Sequence, residues 1–431
     1  MINKTKFGGK NMKTQKNVWI LLLAMVWILS IVMVSNSQEQ IAVIMPRHEM
    51  DVKGLWEQQT REFEKETGIK VELITMAWDR VADKVLTELA AGGTSFDVIE
   101  FDNAWVAKFN EAGWLVPLNQ YIEADVIDQM LPGLVNTFSV DGTLYGIVWN
   151  NDTRFFMYNG KKLKDAGIAE PPRTWAEFVE QSQKMITANL IQYGSSEAAE
   201  QSQSLANWHS FISYSFGSDL FNNDGKPTFL EQPAIDALTF MADCFLNTKV
   251  IDPASLTMNQ EMTANVFYNG STAFFPQAWP GVYNASNDPS ISQIVGEIEI
   301  AEYIPAAKPE YQATLNLPEA LAIPATSKNP EAAWKYIEYM TSPERDKVRS
   351  LEIGTLPIWK AHFEDPELLT LYPYWINFGK QAEFARALPQ LTWYDEWSYA
   401  EQIEVQNALM GTKTPQEALQ SMYDAIEKNL Q

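Results

Sequence analysis

DGTLYGIVWNNDTRFFMYN, residues 141–159, is the stretch on which the reading of this chain turns. It opens on a turn, Asp141-Gly142, followed by a short apolar run over residues 144–149. A polar interruption, Asn150-Asn151-Asp152, separates this run from a second one at residues 155–158. Turn chemistry ahead of an apolar run of this length reads as a strand. Two strands broken by polar residues take the chain out of one packed layer and into another. A Trp, two Asn and an Asp at that crossing suit a wet cleft. The competing reading is an ordinary surface loop between two strands of one sheet.

The chain has 431 residues, too many for one core, which points to two domains or lobes. Apolar residues make up 46%, ample for globular folding, and the net charge is -23. The body of the chain has no cluster of Lys and Arg, which argues against nucleic acid as a partner. Acidity of this size favours solubility and says little about fold.

The N-terminus reads as a targeting segment. Lys4, Lys6, Lys10, Lys13 and Lys16 precede an uncharged apolar run over residues 18–34, and Ser35-Asn36-Ser37-Gln38 follow. That order is the n-region, h-region and cleavage site of an export signal, with the cut expected after Ser37. The alternative is an uncleaved anchor, since the run is at the short limit for a bilayer span. Loss of five lysines with residues 1–37 takes the net charge from -23 to -28. Cys244 is the single cysteine, so no internal disulfide is expected, and its apolar helical setting reads as a small buried residue. No cysteine follows the apolar run to carry a lipid.

Along the body, β-branched and alternating runs predict strands over 41–45, 69–75 and 96–101, with helices over 55–67, 81–91 and 104–112 between and after them. This alternation predicts an α/β layer on a largely parallel sheet. Ligands of such sheets gather at the carboxyl ends of strands, here residues 76–79 and 102–105. Further on, Thr174 and Glu177 form a capping box ahead of a helix over 176–187. Asn223-Asp224-Gly225 reads as a hairpin-type turn; a calcium loop would need further spaced acids and a terminal Glu that are missing. Helices are predicted over 233–247 and 330–340, a strand over 295–305, and a return to the first layer over 312–324.

Seven blocks taken in order carry a resemblance. They are Phe96-Asp97-Val98-Ile99 running to Ala112-Gly113-Trp114-Leu115-Val116-Pro117-Leu118; Asp141-Gly142-Thr143-Leu144-Tyr145-Gly146-Ile147 running to Tyr158-Asn159; and Pro171-Pro172-Arg173-Thr174-Trp175. Asn269-Gly270-Ser271-Thr272-Ala273 leads to Trp279, and Ala322-Ile323-Pro324 leads to Asn329-Pro330-Glu331-Ala332-Ala333-Trp334. Thr341-Ser342-Pro343-Glu344 and Gly411-Thr412-Lys413-Thr414-Pro415 complete the set. In this order they resemble the family 1 extracellular solute-binding proteins of ABC importers, the group that includes maltose-binding protein. Each block is weak alone; seven in order span nearly the whole exported chain.

The resemblance implies an α/β, two-lobed periplasmic-binding-protein (Venus-flytrap) fold, class II-like, with a hinge. Residues 1–37 are then the signal or anchor, 38–150 and 312–360 the N-terminal lobe, and 151–311 and 361–431 the C-terminal lobe. It implies a non-enzymatic monomer without cofactor, periplasmic or extracellular, that carries a carbohydrate to permease subunits in the membrane. A neutral sugar is gripped by Asp, Asn, Glu or Arg through paired hydrogen bonds and by Trp or Tyr through stacking. The candidates are Trp78, Trp149, Trp279 and Trp393 in loops or at strand ends, Asp102 and Asn103 after a strand, and Asp152 and Arg154 at the crossing. Asn316 and Glu319 lie where relatives return to the cleft. For each Trp, packing competes with ligand contact; for Arg154 a structural ion pair does. A secreted glycoside hydrolase would also use acids and Trp, and the same receptor could take a polyol, a sugar acid or a phosphodiester; the scattered His48, His209 and His362 offer no zinc spacing. The export reading is checked by the intact mass of the secreted chain. Loss of residues 1–37 is expected, whereas a membrane-bound chain that keeps Met1 is anchored.

Overall fold

A computed structural model describes residues 1–2, 39–48, 51, 53–222 and 225–430. The apolar run at 18–34, the expected cut after Ser37 and the Asn223-Asp224 part of the predicted turn lie outside the described residues.

Eight strands build the two larger sheets: β1 (Gln40–Pro46), β2 (Lys70–Met76), β3 (Val98–Asp102), β4 (Ile147–Asn150), β5 (Phe155–Asn159), β6 (Phe274–Ala278), β7 (Ile298–Ile300) and β8 (Glu319–Ala322). The first sheet has the order β2-β1-β3-β8-β4. β1 is parallel to both neighbours, with Ile41 opposite Val71 and Val43 opposite Val98. Helices α1 (Leu55–Thr67) and α2 (Trp78–Ala90) make the crossovers that parallel strands require. α1 ends on Gly68 at φ 77°, which places the chain in the left-handed region that stops a helix.

The expectation of a largely parallel sheet holds for β1, β2 and β3 and fails beyond them. β8 runs antiparallel to β3, Glu319 facing Asp102, and antiparallel to β4, Glu319 facing Asn150. The cause is long range: β8 re-enters the sheet from the second lobe, so no crossover helix sets its direction.

Ahead of β4, the turn at Asp141 and Gly142 has φ 50° and 79°. Both values lie in the left-handed region of a two-residue hairpin turn, and the strands it joins are Ser139–Val140 and Thr143–Leu144. After β4 the chain passes through residues 151–154 into β5, the middle of an antiparallel sheet of order β6-β5-β7. The opening stretch therefore joins two different sheets.

Three segments lie side by side at that passage. Thr153 bridges to Asn316 and Asn151 to Leu356. The Leu317 amide donates to the Asp152 carbonyl at 2.8 Å, and the Arg154 amide to the Leu315 carbonyl at 2.9 Å. Asn151 Nδ2 donates to the Pro357 carbonyl at 3.1 Å.

After β5 come helices α3 (Trp175–Thr187), α4 (Gln203–Ser215), α5 (Gln232–Leu246) and α6 (Gln260–Tyr268); Phe178 of α3 and Phe267 of α6 meet Phe274 and Phe275 of β6, and α4 packs on α5. α3 starts with the expected capping box of Thr174 and Glu177. α7 (Pro330–Thr341) covers the first sheet with Ala333, Trp334, Ile337 and Met340 buried. α8 (Tyr394–Leu409) and α9 (Pro415–Ile426) close the chain against α4 and α5. Cys244 is buried on α5, and burial pushes its thiol up, which makes it inert. No helix among the described residues is long and apolar enough to cross a membrane.

The crossing depends on close approach at Gly146, just before β4. A Cβ there would sit 2.8 Å from the Ala320 Cβ and 2.9 Å from the Phe101 ring. Both neighbours belong to the core and cannot swing away. Gly146→Val is expected to cost about 1–3 kcal/mol through overpacking, read from urea unfolding midpoints.

Candidate functional site

The ends of β3 and β8 set the first wall of the site. Asp102 closes β3 and caps the short turn after it, Oδ1 accepting from the Ala104 amide at 2.9 Å. Oδ2 is buried with no partner among the described residues. Burial pushes this carboxyl up to about 7; Asp152 and Glu100 add to the shift, while the Ala104 amide and Arg154 oppose it. Asn103 donates to the Asn316 carbonyl at 3.3 Å, and its Oδ1 is likewise unpartnered among the described residues. Glu319, first in β8, is held from two sides. Its Oε1 accepts from Trp78 Nε1, and its Oε2 from Asn150 Nδ2 at 2.7 Å. Burial and then Glu100 hold its carboxyl well above the usual range, against His48.

Asp152 and Arg154 occupy the passage between sheets. They form a buried ion pair at 2.6 Å, which leaves Asp152 Oδ1 unpartnered among the described residues. Burial raises the Asp152 carboxyl, opposed by Arg154 and His48. Arg154 reaches on to Gln260 Oε1 at 3.1 Å and the Gln277 carbonyl at 3.4 Å. Its guanidinium lies 5.2 Å from the centre of the Trp279 ring. Trp279 follows β6 at the start of the short helix Pro280–Ser286, and its Nε1 is buried without a partner among the described residues. A small, partly open pocket of about 30 Å³ is lined by Arg154, Glu197, Asn207, Gln260, Gln277 and Trp279, among others.

The structure thus brings Asp102, Asn103, Asp152, Arg154 and Trp279 into one region. Asp102 senses the charges of both Asp152 and Arg154, and Arg154 covers Trp279. Asn316 backs the passage by accepting from Thr153 Oγ1 at 3.1 Å. Trp78 opens α2, half-buried, with its indole N–H on Glu319. Trp149 stands near the end of a strand and Trp393, half-buried, in the turn before α8, as expected. Trp149 lies inside β4, enclosed by Trp56 at 4.7 Å, His48 at 5.4 Å and the Arg349 guanidinium at 5.6 Å. Trp393 meets Phe221 edge-on at 5.8 Å, in the cluster that Phe229 and Trp397 complete. Both rings thus make edge-on contacts with aromatic neighbours.

An outer cleft of about 800 Å³ lies between Arg80, Asp83, Thr87 and Trp105 on one side and Glu200, Gln203, Asp395, Tyr399 and Gln402 on the other. Lys108 and Asp395 form an ion pair across the same two sides. Sequence reasoning missed Glu197, Gln203, Gln260, His48 and Glu100. Gly194-Ser195-Ser196-Glu197 carried a signal: small polar residues, separated by two residues from the apolar pair Leu190-Ile191. A side chain at Gly194 would meet Ser182 Oγ at 2.2 Å, so only glycine lets this segment approach α3.

This chain belongs to the family of bacterial extracellular solute-binding proteins, whose model matches residues 50–347. It is similar to the "Probable amino-acid ABC transporter periplasmic-binding protein y4oP" of Sinorhizobium fredii, 24% identical over 384 residues, 85% of this chain and 84% of that one. A "Maltotriose-binding protein" of Pyrococcus abyssi is 24% identical over 69% of this chain and 62% of its own length. Among solved structures, T. maritima MalE3 with maltose bound superposes at a TM-score of 0.83, 27% identical, over 90% of this chain and 99% of that one. A solute-binding protein of Thermotoga lettingae bound with α-D-tagatose gives 0.81 at 27%, over 91% and 100%. The fold is the two-lobed α/β architecture of these proteins. The class is the extracellular solute-binding protein of an ABC transporter, a family of binding proteins that work with membrane permeases outside the cytoplasm.

Glu197 gives the site a pH signature. Burial pushes its carboxyl from an ordinary 4.5 up to about 8, against a bond from Ser195. The Ser195 hydroxyl donates to it at 2.8 Å. The folded chain keeps this proton to about pH 8 whereas the unfolded chain loses it near 4.5. Folding therefore binds a proton inside that window. This contribution to stability falls as pH rises through the window and levels off above it. Glu197→Gln is expected to flatten that part of the profile. Denaturant midpoints from pH 4.5 to 8.5 check this, and an unchanged slope refutes it.

Proposed function

We propose that this chain is the receptor of an ABC importer for a small neutral carbohydrate, held where Asp102, Asn103 and Asp152 face Arg154 and Trp279. The observation that carries this reading is the set of buried polar atoms without protein partners in that region. Asp102 Oδ2, Asn103 Oδ1 and Asp152 Oδ1 are acceptors, and Trp279 Nε1 and Arg154 Nε are donors, all unpartnered among the described residues. A buried polar group left unpaired is costly, so such a set calls for a ligand rich in both donors and acceptors. Sugar hydroxyls supply both. The two relatives of known structure at 27% identity carry a maltose and a tagatose, which supports the same ligand class.

Arg154 already neutralises Asp152, and the other charged neighbours of Asp102 are acids. That balance weighs against a sugar acid or a phosphodiester. A hydrolase reading is separated from a receptor by incubation with labelled oligosaccharides: stoichiometric retention without products is expected.

Trp279 and Asp152 have different parts in this reading. Trp279→Ala removes ring area and is expected to weaken binding by about 2–4 kcal/mol, in the range of a dominant interface aromatic. Asp152→Asn keeps the size and loses charge-assisted bonds, at a cost of about 1.5–3 kcal/mol. The ligand is first found by thermal shift over a panel of sugars and polyols; a ligand at 100 times its Kd adds about 2.7 kcal/mol of stability. Calorimetric titration of the two variants beside their thermal melts then tests the assignment. Full affinity in Trp279→Ala removes Trp279 from the site.

A further inference from the structure

Behind the Trp78 wall, three strand ends bring together a histidine and two carboxylates that the carbohydrate reading does not use. His48 follows β1, Glu100 lies within β3 and Glu319 begins β8. Their ligand atoms all lie within 4.8 Å of one another. His48 Nε2 is 3.1 Å from Glu100 Oε1 and 3.8 Å from Glu319 Oε2. Adjacent ligands about 2.0–2.2 Å from a divalent ion stand about 3–3.5 Å from each other; the two distances from His48 lie at or just above that range, and the two carboxylates, within 4.8 Å, would draw together on the ion.

Charge and burial point the same way. The relative exposures are 6% for His48, 3% for Glu100 and 4% for Glu319, so two carboxylates share one imidazole out of water. Glu100 Oε2 is buried with no hydrogen-bond partner among the described residues. Asp152, 5% exposed, acts electrostatically on both His48 and Glu319. Asp152 thus adds a third carboxylate to the field at this point. Buried charges of one sign are retained when they are paired or coordinate a metal. The supports of a metal ligand are present too. Glu319 is oriented by hydrogen bonds from Trp78 Nε1 and Asn150 Nδ2, the kind of outer contact that fixes a coordinating side chain.

We propose that His48, Glu100 and Glu319 form a site for one divalent transition-metal ion of the zinc or manganese type. One imidazole nitrogen and two carboxylates suit these ions better than calcium, which takes six to eight oxygens, or magnesium, which keeps its waters. The ion ties the ends of β1, β3 and β8 together and, through Glu319, fixes Trp78 and Asn150. It is a structural brace of the cleft wall, separate from the atoms proposed to meet a sugar.

The test uses the full exported chain without any sugar, so its outcome does not depend on the carbohydrate reading. The chain is stripped with a chelator, dialysed and titrated with Zn2+ by calorimetry, with Co2+ as a visible probe of nitrogen and oxygen ligation. One equivalent bound at micromolar concentration or below is expected. Millimolar Mg2+ is not expected to compete, and the melting temperature should rise with zinc and fall again with chelator. Glu100→Gln and His48→Asn should each weaken uptake at least tenfold, the scale of losing one ligand or its support, with far-UV circular dichroism unchanged. His209→Asn and His362→Asn serve as controls expected to keep uptake. No saturable uptake by the parent chain overturns the proposal. So does uptake that persists at full strength in both folded variants, or a melting temperature that rises in Glu100→Gln while the parent takes up no ion. The last result assigns the cluster to a shared proton.

Discussion

The buried ion pair of Asp152 and Arg154 is the constraint around which the two sheets are arranged. It sits on the four residues that carry the chain from β4 into β5, within 2.6 Å and out of water. A pair in that position is expensive to desolvate, and further hydrogen bonds offset part of that cost. Gln260 and the Gln277 carbonyl accept from Arg154 from the second sheet's side. The Asp152 carbonyl receives the Leu317 amide from the returning segment. Side chain and backbone of the same two residues thus join both sheets and the return strand. Two residues beyond Leu317, Glu319 begins β8 facing Asp102 and Asn150.

From this pair the electrostatics of the whole region can be followed. Asp102, Asp152 and Glu319 lie in one buried field, and burial is the largest influence on each. Arg154 is the cation that offsets it at Asp102 and Asp152, and His48 contributes at Asp152 and Glu319. Burial favours the protonated form of each, and a carboxyl that can donate as well as accept suits hydroxyl partners. The same groups are equally suited to a cation. The two demands are separated in space: the unpartnered oxygens of Asp102 and Asn103 lie at the end of β3, whereas Glu100 and His48 lie behind Glu319.

Much of the fold was legible because its decisive signals are local. The alternation over residues 41–101 gave β1, β2, β3 and the helices between them, and the capping box at Thr174 and Glu177 gave the start of α3. The polar break at residues 150–152 marked the passage between sheets. The direction of β8 was not legible, since it depends on a return from the far lobe and leaves no periodic trace. Among site residues, those at strand ends and at the break were readable as positions. Whether a Trp offers a face or fills a core was not, because Trp149 and Trp279 both end strand-like runs beside polar residues. Glu197 and Gln260 reach the region from segments whose own pattern is helical or irregular, and only tertiary packing brings them to Arg154. His48 and Glu100 are 52 residues apart and face each other because β1 and β3 are neighbours.

The ion pair between Lys108 and Asp395, with Glu396 at 3.9 Å from the same ammonium, lies beside the outer cleft, which Asp395 and Glu396 line. Lys108 belongs to the short helix Val106–Glu111 after β3, and Asp395 to the first turn of α8. Both partners are partly exposed, so the attraction is weak and open to screening by dissolved ions. Parting the helix after β3 from α8 has to break this pair. Ionic strength therefore acts as a dial on the contact: salt loosens this outer clasp while leaving the buried pair of Asp152 and Arg154 almost untouched.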